Sequence, residues 1–120
     1  MEETKKLLKT ITEGIQEKKG RDITIVDLSK IDGTICHYFV ICCGGSPTQV
    51  EAIAEEIGLQ ARQKCGEKPT HVEGLQNAQW VAMDYVDIIV HVFLPEVREF
   101  YNLEELWEDA KVTHIKNEDE

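Results

Sequence analysis

Gly44-Gly45-Ser46 is the place in this sequence where backbone chemistry could gather an anion, since two glycines and a serine join an apolar run to a helix-like stretch. Backbone amides at a helix N-terminus favour negative charge. Enzymes that transfer nucleotides put a Gly-Ser turn at such a join to hold a triphosphate. They also need two neighbouring carboxylates to carry the metal ions that activate a hydroxyl and steady the leaving phosphate. Glu55 and Glu56 stand where that pair is expected, but consecutive residues on a helix face different ways. Asp84 and Asp87 flank a predicted hairpin turn, and their spacing is wrong as well. The Gly45-Ser46 turn is therefore read as a structural turn with a helix cap, and a nucleotide-dependent transferase using it is kept as the alternative.

His71 and His91, with Glu73 or Asp84, could form a metal or acid-base cluster if their strands are neighbours. No i,i+4 histidine pair or C-x-x-C element supports a metal. His91, inside Ile88-Ile89-Val90-His91-Val92-Phe93, reads as a satisfied sheet-face histidine. Cys36, Cys42, Cys43 and Cys65 have no zinc or dithiol spacing, and adjacent Cys42 and Cys43 on a strand point to opposite faces. They read as free, mostly buried thiols. No metal, no cofactor and no catalytic residue is expected.

The elements that hold these residues follow from periodicity. Leu7 or Leu8, Ile11 and Ile15 recur at helical spacing up to Lys19-Gly20, a first amphipathic helix. Ile23, Ile25 and Leu28 mark a strand over 22–28, and 38–43 is apolar at every position, a strand covered on both faces. Ser46 caps the next helix, Pro47 suits its first turn and Gln49 completes a capping box. Val50, Ile53, Ala54, Ile57 and Ala61 form its buried stripe, and Gly66 ends it. A short strand over 70–73 and a turn over 74–78 lead to a hairpin of 80–84 and 87–93. Pro95 opens a short helix through Tyr101, and Asn102 caps a last turn carrying Leu103, Leu106 and Trp107. The order αββαβββαα predicts an α/β (α+β) domain, a mixed β-sheet flanked by helices.

With 13 Lys and Arg against 23 Asp and Glu, the net charge of −10 repels phosphate backbones, so a direct nucleic-acid reader is not expected and a basic protein partner is. At 120 residues the chain forms one domain, 1–115, with an acidic tail over 116–120 expected to be disordered. No run approaches the roughly 20 apolar residues of a membrane span. The acidic start, Met1-Glu2-Glu3, lacks the apolar stretch of a signal peptide. A cytoplasmic protein is expected.

A binding surface is suggested at the hairpin. Strand alternation puts Trp80, Ala82 and Asp84 on one face and Val81, Met83 and Tyr85 on the other. An acid beside an indole implies a partly wet face. Aromatic anchors among carboxylates suit a basic partner, and spacing alone equally allows Trp80 to cover the core under a helix.

Four motifs in order resemble the ribosomal silencing factor family (RsfS, iojap-like): DITIVDLSKI at 22–31, YFVICCGGS at 38–46, HVEG at 71–74 and QWVAMDYVDIIVHVFLPEVREFYNLEELW at 79–107. The resemblance spans Leu7 to Lys111. It implies a nucleotidyltransferase-like fold lacking the catalytic carboxylates, and a non-enzymatic function. The family binds the large ribosomal subunit through its ribosomal protein numbered fourteen, on the face that meets the small subunit. It blocks subunit joining by bulk and so represses translation when nutrients are scarce. The implied contact residues are Trp80, Asp84 and Tyr85, with Arg98 and Tyr101 behind them; Tyr101, at helical spacing from Val97, fits a core position equally well. The family usually carries Gly where this chain has Val86, and a β-branched residue tolerates positive φ poorly, so a different turn type is expected there. An exposed aromatic patch could also pair two copies, which leaves a homodimer open.

Overall fold

The computed structural model describes residues 2–31, 33–34, 36–106 and 109–117. Trp107, expected in the last turn, and 118–120 of the tail lie outside the described residues. The elements are α1 (Glu2–Glu17), β1 (Arg21–Asp27), β2 (Tyr38–Cys43), α2 (Pro47–Gln60), β3 (His71–Glu73), β4 (Trp80–Asp84), β5 (Ile88–Phe93), α3 (Pro95–Tyr101) and β6 (Lys111–Ile115). A π-helical turn, Ala61–Cys65, extends α2, and a 3-10 turn, Leu103–Leu106, follows α3.

The strands form one mixed sheet in the order β3-β4-β5-β2-β1-β6. β2 and β5 run parallel at its centre, and every other pair is antiparallel. The all-apolar sequence of β2 follows from that position: it has a strand on each side and buries all six residues.

One face of the sheet is covered by α1 and α2. Leu7, Ile11 and Ile15 of α1 and Val50, Ile53 and Ile57 of α2 pack there against Val40, Val81, Val90 and Val92 of the strands. Full burial of an aliphatic side chain of this size contributes about 1.5–3 kcal/mol. The two helices cross closely at Gly14, where a Cβ would lie 3.2 Å from the Ile57 Cα. The capping box forms as the sequence indicates: Gln49 N donates to Ser46 Oγ at 3.1 Å, and Gly45 N donates to Gln49 Oε1 at 2.6 Å. Gly66, in the left-handed conformation at φ 66°, ends the π-helical turn.

Among the described residues, the opposite face is covered only in part. Val26, Leu28, Cys36, Phe39, Ile41 and Phe93 are buried there beneath Ile31, Val97 and Leu103. None of the four cysteines is in a disulfide, and Cys36, Cys42 and Cys43 are buried and Cys65 partly so.

Two features depart from expectation. β6 is a sixth strand: it pairs with β1 from Ile23↔Ile115 to Asp27↔Lys111 and lies at the sheet edge, where only one neighbour holds it. Asn117, assigned to the tail, accepts a hydrogen bond from Asp22 N at 2.8 Å. The second departure is Val86, which takes φ 75° despite its branched Cβ. Asp87 N donates to Tyr85 O at 2.9 Å across it, a tight three-residue γ-turn of the strained, positive-φ kind. Surrounding bonds hold it there: Val86 N donates to Asp84 Oδ1 at 2.8 Å, and Tyr85 N donates to Ile88 O at 2.8 Å.

Candidate functional site

The Gly44–Ser46 junction is occupied by the chain itself. Gln49 Oε1 takes the Gly45 amide, Ser46 Oγ takes the Gln49 amide, and Ser46 O takes the Val50 amide. Three of the backbone donors at this junction, the Gly45, Gln49 and Val50 amides, are thus already paired. Of the two candidate carboxylates considered on α2, Glu55 is exposed, while Glu56 accepts from Gln60 Nε2 at 2.8 Å. Asp87 is half-exposed at the turn and is tied to the chain: its carboxylate accepts from Thr4 Oγ1 at 3.2 Å, and its carbonyl takes the amides of His37 and Tyr38. Among the described residues no group of three His, Cys, Asp or Glu side chains could hold a metal ion.

The partly covered sheet face has a different character. Register brings His71 opposite Asp84, Glu73 opposite Ala82, Ala82 opposite His91 and Asp84 opposite Ile89, so these side chains share one surface with Trp80 and Phe93. Trp80, Ala82, Asp84 and Ile89 are half-buried, and His71 and Glu73 are exposed with His71 Nε2 2.7 Å from Glu73 Oε1. The partly wet face inferred from alternation is present.

Trp80 sits at its centre and answers both readings of its role. Its ring stacks on Phe93 at 5.0 Å and meets Tyr101 at 4.7 Å, so it covers the core beneath α3. Its Nε1–H donates to His91 Nδ1 at 3.0 Å. His91 is buried between Phe39 and Phe93, and burial holds its pKa down to about 4, so the imidazole is neutral near pH 7. Its Nδ1 is therefore paired while its Nε2 is buried without a hydrogen-bond partner.

The other expected contact residues separate. Asp84 stays at the surface, with one carboxylate oxygen accepting from Val86 N. Tyr101 is 50% exposed, which places it on the surface and not in the core. Tyr85 is corrected: it is 4% exposed, on the α1–α2 side with Val81 and Met83, and burial, with Glu67 and Cys65 nearby, pushes its pKa up to about 12. Arg98 is half-buried with its guanidinium turned onto the chain, donating to Asp22 O at 2.6 Å and Thr24 Oγ1 at 2.9 Å and contacting Cys43 Sγ at 3.3 Å. It ties α3 to β1 and β2.

Phe100, which periodicity did not single out, is 81% exposed. Phe100, Tyr101, Trp80 and Val97 line a groove of about 460 Å³ with Gly74, Asn77, Gln79 and Glu96. The groove needs a glycine at 74, where φ is 91° and a Cβ would collide with the Trp80 carbonyl oxygen. A pentapeptide turn signal at 74–78 is visible in the sequence, but the exposure of Phe100 depends on which side of a two-turn helix meets the sheet.

Comparison with known proteins agrees with this architecture. The family model described as "Ribosomal silencing factor during starvation" (RsfS) matches residues 1–120. The chain is 40% identical over 111 residues to ribosomal silencing factor RsfS of Bacillus subtilis, with 92% of each chain covered. It is 30% identical over 95 residues to the mouse protein named mitochondrial assembly of ribosomal large subunit protein 1, covering 78% of this chain and 41% of that one. A crystal structure from Chromobacterium violaceum superposes with a TM-score of 0.82 at 30% identity, covering 95% of this chain and 94% of the other. One from Bacillus halodurans gives 0.78 at 32% identity, covering 92% and 99%. With a full-length family match and this identity over nearly all of both chains, the chain belongs to the RsfS family of ribosomal silencing factors.

Proposed function

We propose that the chain silences translation by docking on the large ribosomal subunit, through its ribosomal protein numbered fourteen, and blocking the approach of the small subunit. The observation that carries this reading is the partly covered sheet face: Trp80, Ala82, Asp84 and Ile89 stay half-exposed beside Tyr101 and Phe100, on a protein of net charge −10. Fixed rings flanked by acids suit a basic protein surface, with burial supplying affinity and charge supplying on-rate and orientation. The contact set is Trp80, Asp84 and Tyr101, without the buried Tyr85 and the inward-turned Arg98. The activity is steric: no substrate turns over, and placement on the subunit is the whole effect. The nucleotide-transferase alternative is disfavoured because Gln49 and Ser46 already engage the Gly45 and Gln49 amides at the turn that it would use. The same face could pair with a second copy, and such a homodimer would compete with docking. Among the described residues no helix is long and apolar enough to cross a membrane.

Sedimentation with isolated ribosomal subunits tests the proposal. The protein is expected to travel with the large subunit alone and to reduce the formation of joined ribosomes. Ala82→Glu puts a charge on the flat of the face and is expected to abolish retention. Trp80→Ala weakens it by about 2 kcal/mol or more, roughly thirtyfold. Retention of Ala82→Glu at the wild-type level, or no association with either subunit, would remove the reading.

A further inference from the structure

The groove between β4 and α3 combines features that a flat apolar contact does not need. Three rings converge there from two elements. Trp80 comes from β4, and Phe100 and Tyr101 come from the last turn of α3. The Trp80 and Tyr101 centroids are 4.7 Å apart with planes at 45°, and those of Phe100 and Tyr101 are 5.1 Å apart at 81°. The latter two rings therefore meet edge to face, not as a stack, and both line the groove with their planes nearly at right angles.

Helical spacing then adds a charge. Glu96 lies four residues before Phe100 and lines the same groove, which places a carboxylate one turn from the exposed ring. Asn77 and Gln79, polar residues, also line it. Aromatic faces with a nearby carboxylate attract a cation by ring quadrupole and by charge, and the attraction grows as water is displaced. A guanidinium also matches amide and carboxylate acceptors with its fork of donors.

We propose that this groove is a receptor for one cationic side chain, an arginine or lysine presented by a basic protein partner. The rings supply the walls and Glu96 the counter-charge, and the −10 net charge of the chain draws such a partner in. The identity of that partner as a ribosomal protein rests on the docking reading above. The cation specificity of the groove rests on the residues alone.

The test uses the full chain and small probes. N-acetyl-arginine amide and its neutral isostere N-acetyl-citrulline amide are titrated separately, following the Trp80 indole N–H by NMR. The arginine derivative is expected to shift this signal saturably and the citrulline derivative is not. Glu96→Gln and Phe100→Leu, both at exposed positions that leave folding intact, should each weaken arginine binding roughly threefold or more. Equal response to both probes, no response, or wild-type binding in both variants would overturn the cage. Arginine binding without sedimentation on large subunits supports the cage while removing the ribosomal partner. Sedimentation with no arginine selectivity does the reverse.

Discussion

On the side of the sheet covered by α1 and α2 the buried residues are mostly aliphatic, and Ile11, Ile15, Ile53 and Ile57 are entirely enclosed. On the other side Val26, Leu28, Cys36 and Ile41 are joined by Phe39, Phe93 and His91, with the half-buried Trp80 tied to them by ring contacts and a directed hydrogen bond and the rim open. Burial is insensitive to direction, so the first side can be filled by any close-packed set of branched side chains. Rings and hydrogen bonds fix angles as well as contact, and they hold a surface in shape where the short α3 covers only part of it. The two faces thus divide stability from presentation.

The sharpest way to break this division is to cut into the filled side. Ile57→Ala leaves a cavity and is expected to lower unfolding free energy in urea by about 2–5 kcal/mol. Phe100→Leu on the open side should change it by no more than about 0.5 kcal/mol. Comparable losses from both would mean that the open face also carries the core.

The second test is acid. The unfolded His91 imidazole takes up a proton near 6.5, whereas the folded one does so only at about 4. Between those values the unfolded chain binds more protons, so stability falls as pH drops through that window. The contribution is complete above 6.5 and gone below about 4. It amounts to about 3 kcal/mol, and His91→Gln is expected to flatten this part of the pH dependence measured by urea unfolding. An unchanged slope in the variant would detach His91 from it.

A smaller effect than that of His91 lies at the hairpin tip. Positive φ in a non-glycine residue stores about 1–3 kcal/mol, and glycine returns about 0.5–1 kcal/mol of that as chain entropy. Val86→Gly should therefore stabilise the fold by about 1 kcal/mol, seen as a higher melting temperature. A lower one would show that the exposed valine makes a contact that outweighs the strain.

Much of this was legible in the chain. Six consecutive apolar residues at 38–43 required a strand with neighbours on both sides, and Ser46, Pro47 and Gln49 spelled out the start of α2. Alternation also divided β4 correctly, and it had already grouped Tyr85 with Val81 and Met83, the buried side. The family resemblance, not the spacing, moved Tyr85 to the contact surface. β6 was hidden because an exposed edge strand carries little hydrophobic pattern, with Val112 and Ile115 its only apolar residues. Val86 was misjudged because local preference was overruled by the bonds that Asp84, Tyr85 and Asp87 make around it. The orientation of Arg98 depends on Asp22 and Thr24, more than seventy positions away, which no local pattern encodes.

The union of β6 with β1 has a further consequence for how the molecule is closed. Asp22 and Asn117, which clasp at the end of that ladder, are separated by 95 positions. Joining ends so far apart in a flexible chain costs about 4 kcal/mol beyond the constant part of loop closure. What offsets it is one five-residue ladder on a strand whose side chains are nearly all exposed, together with the Asn117 clasp. The sheet is sewn shut by its longest thread at the border where there is least cloth to hold it.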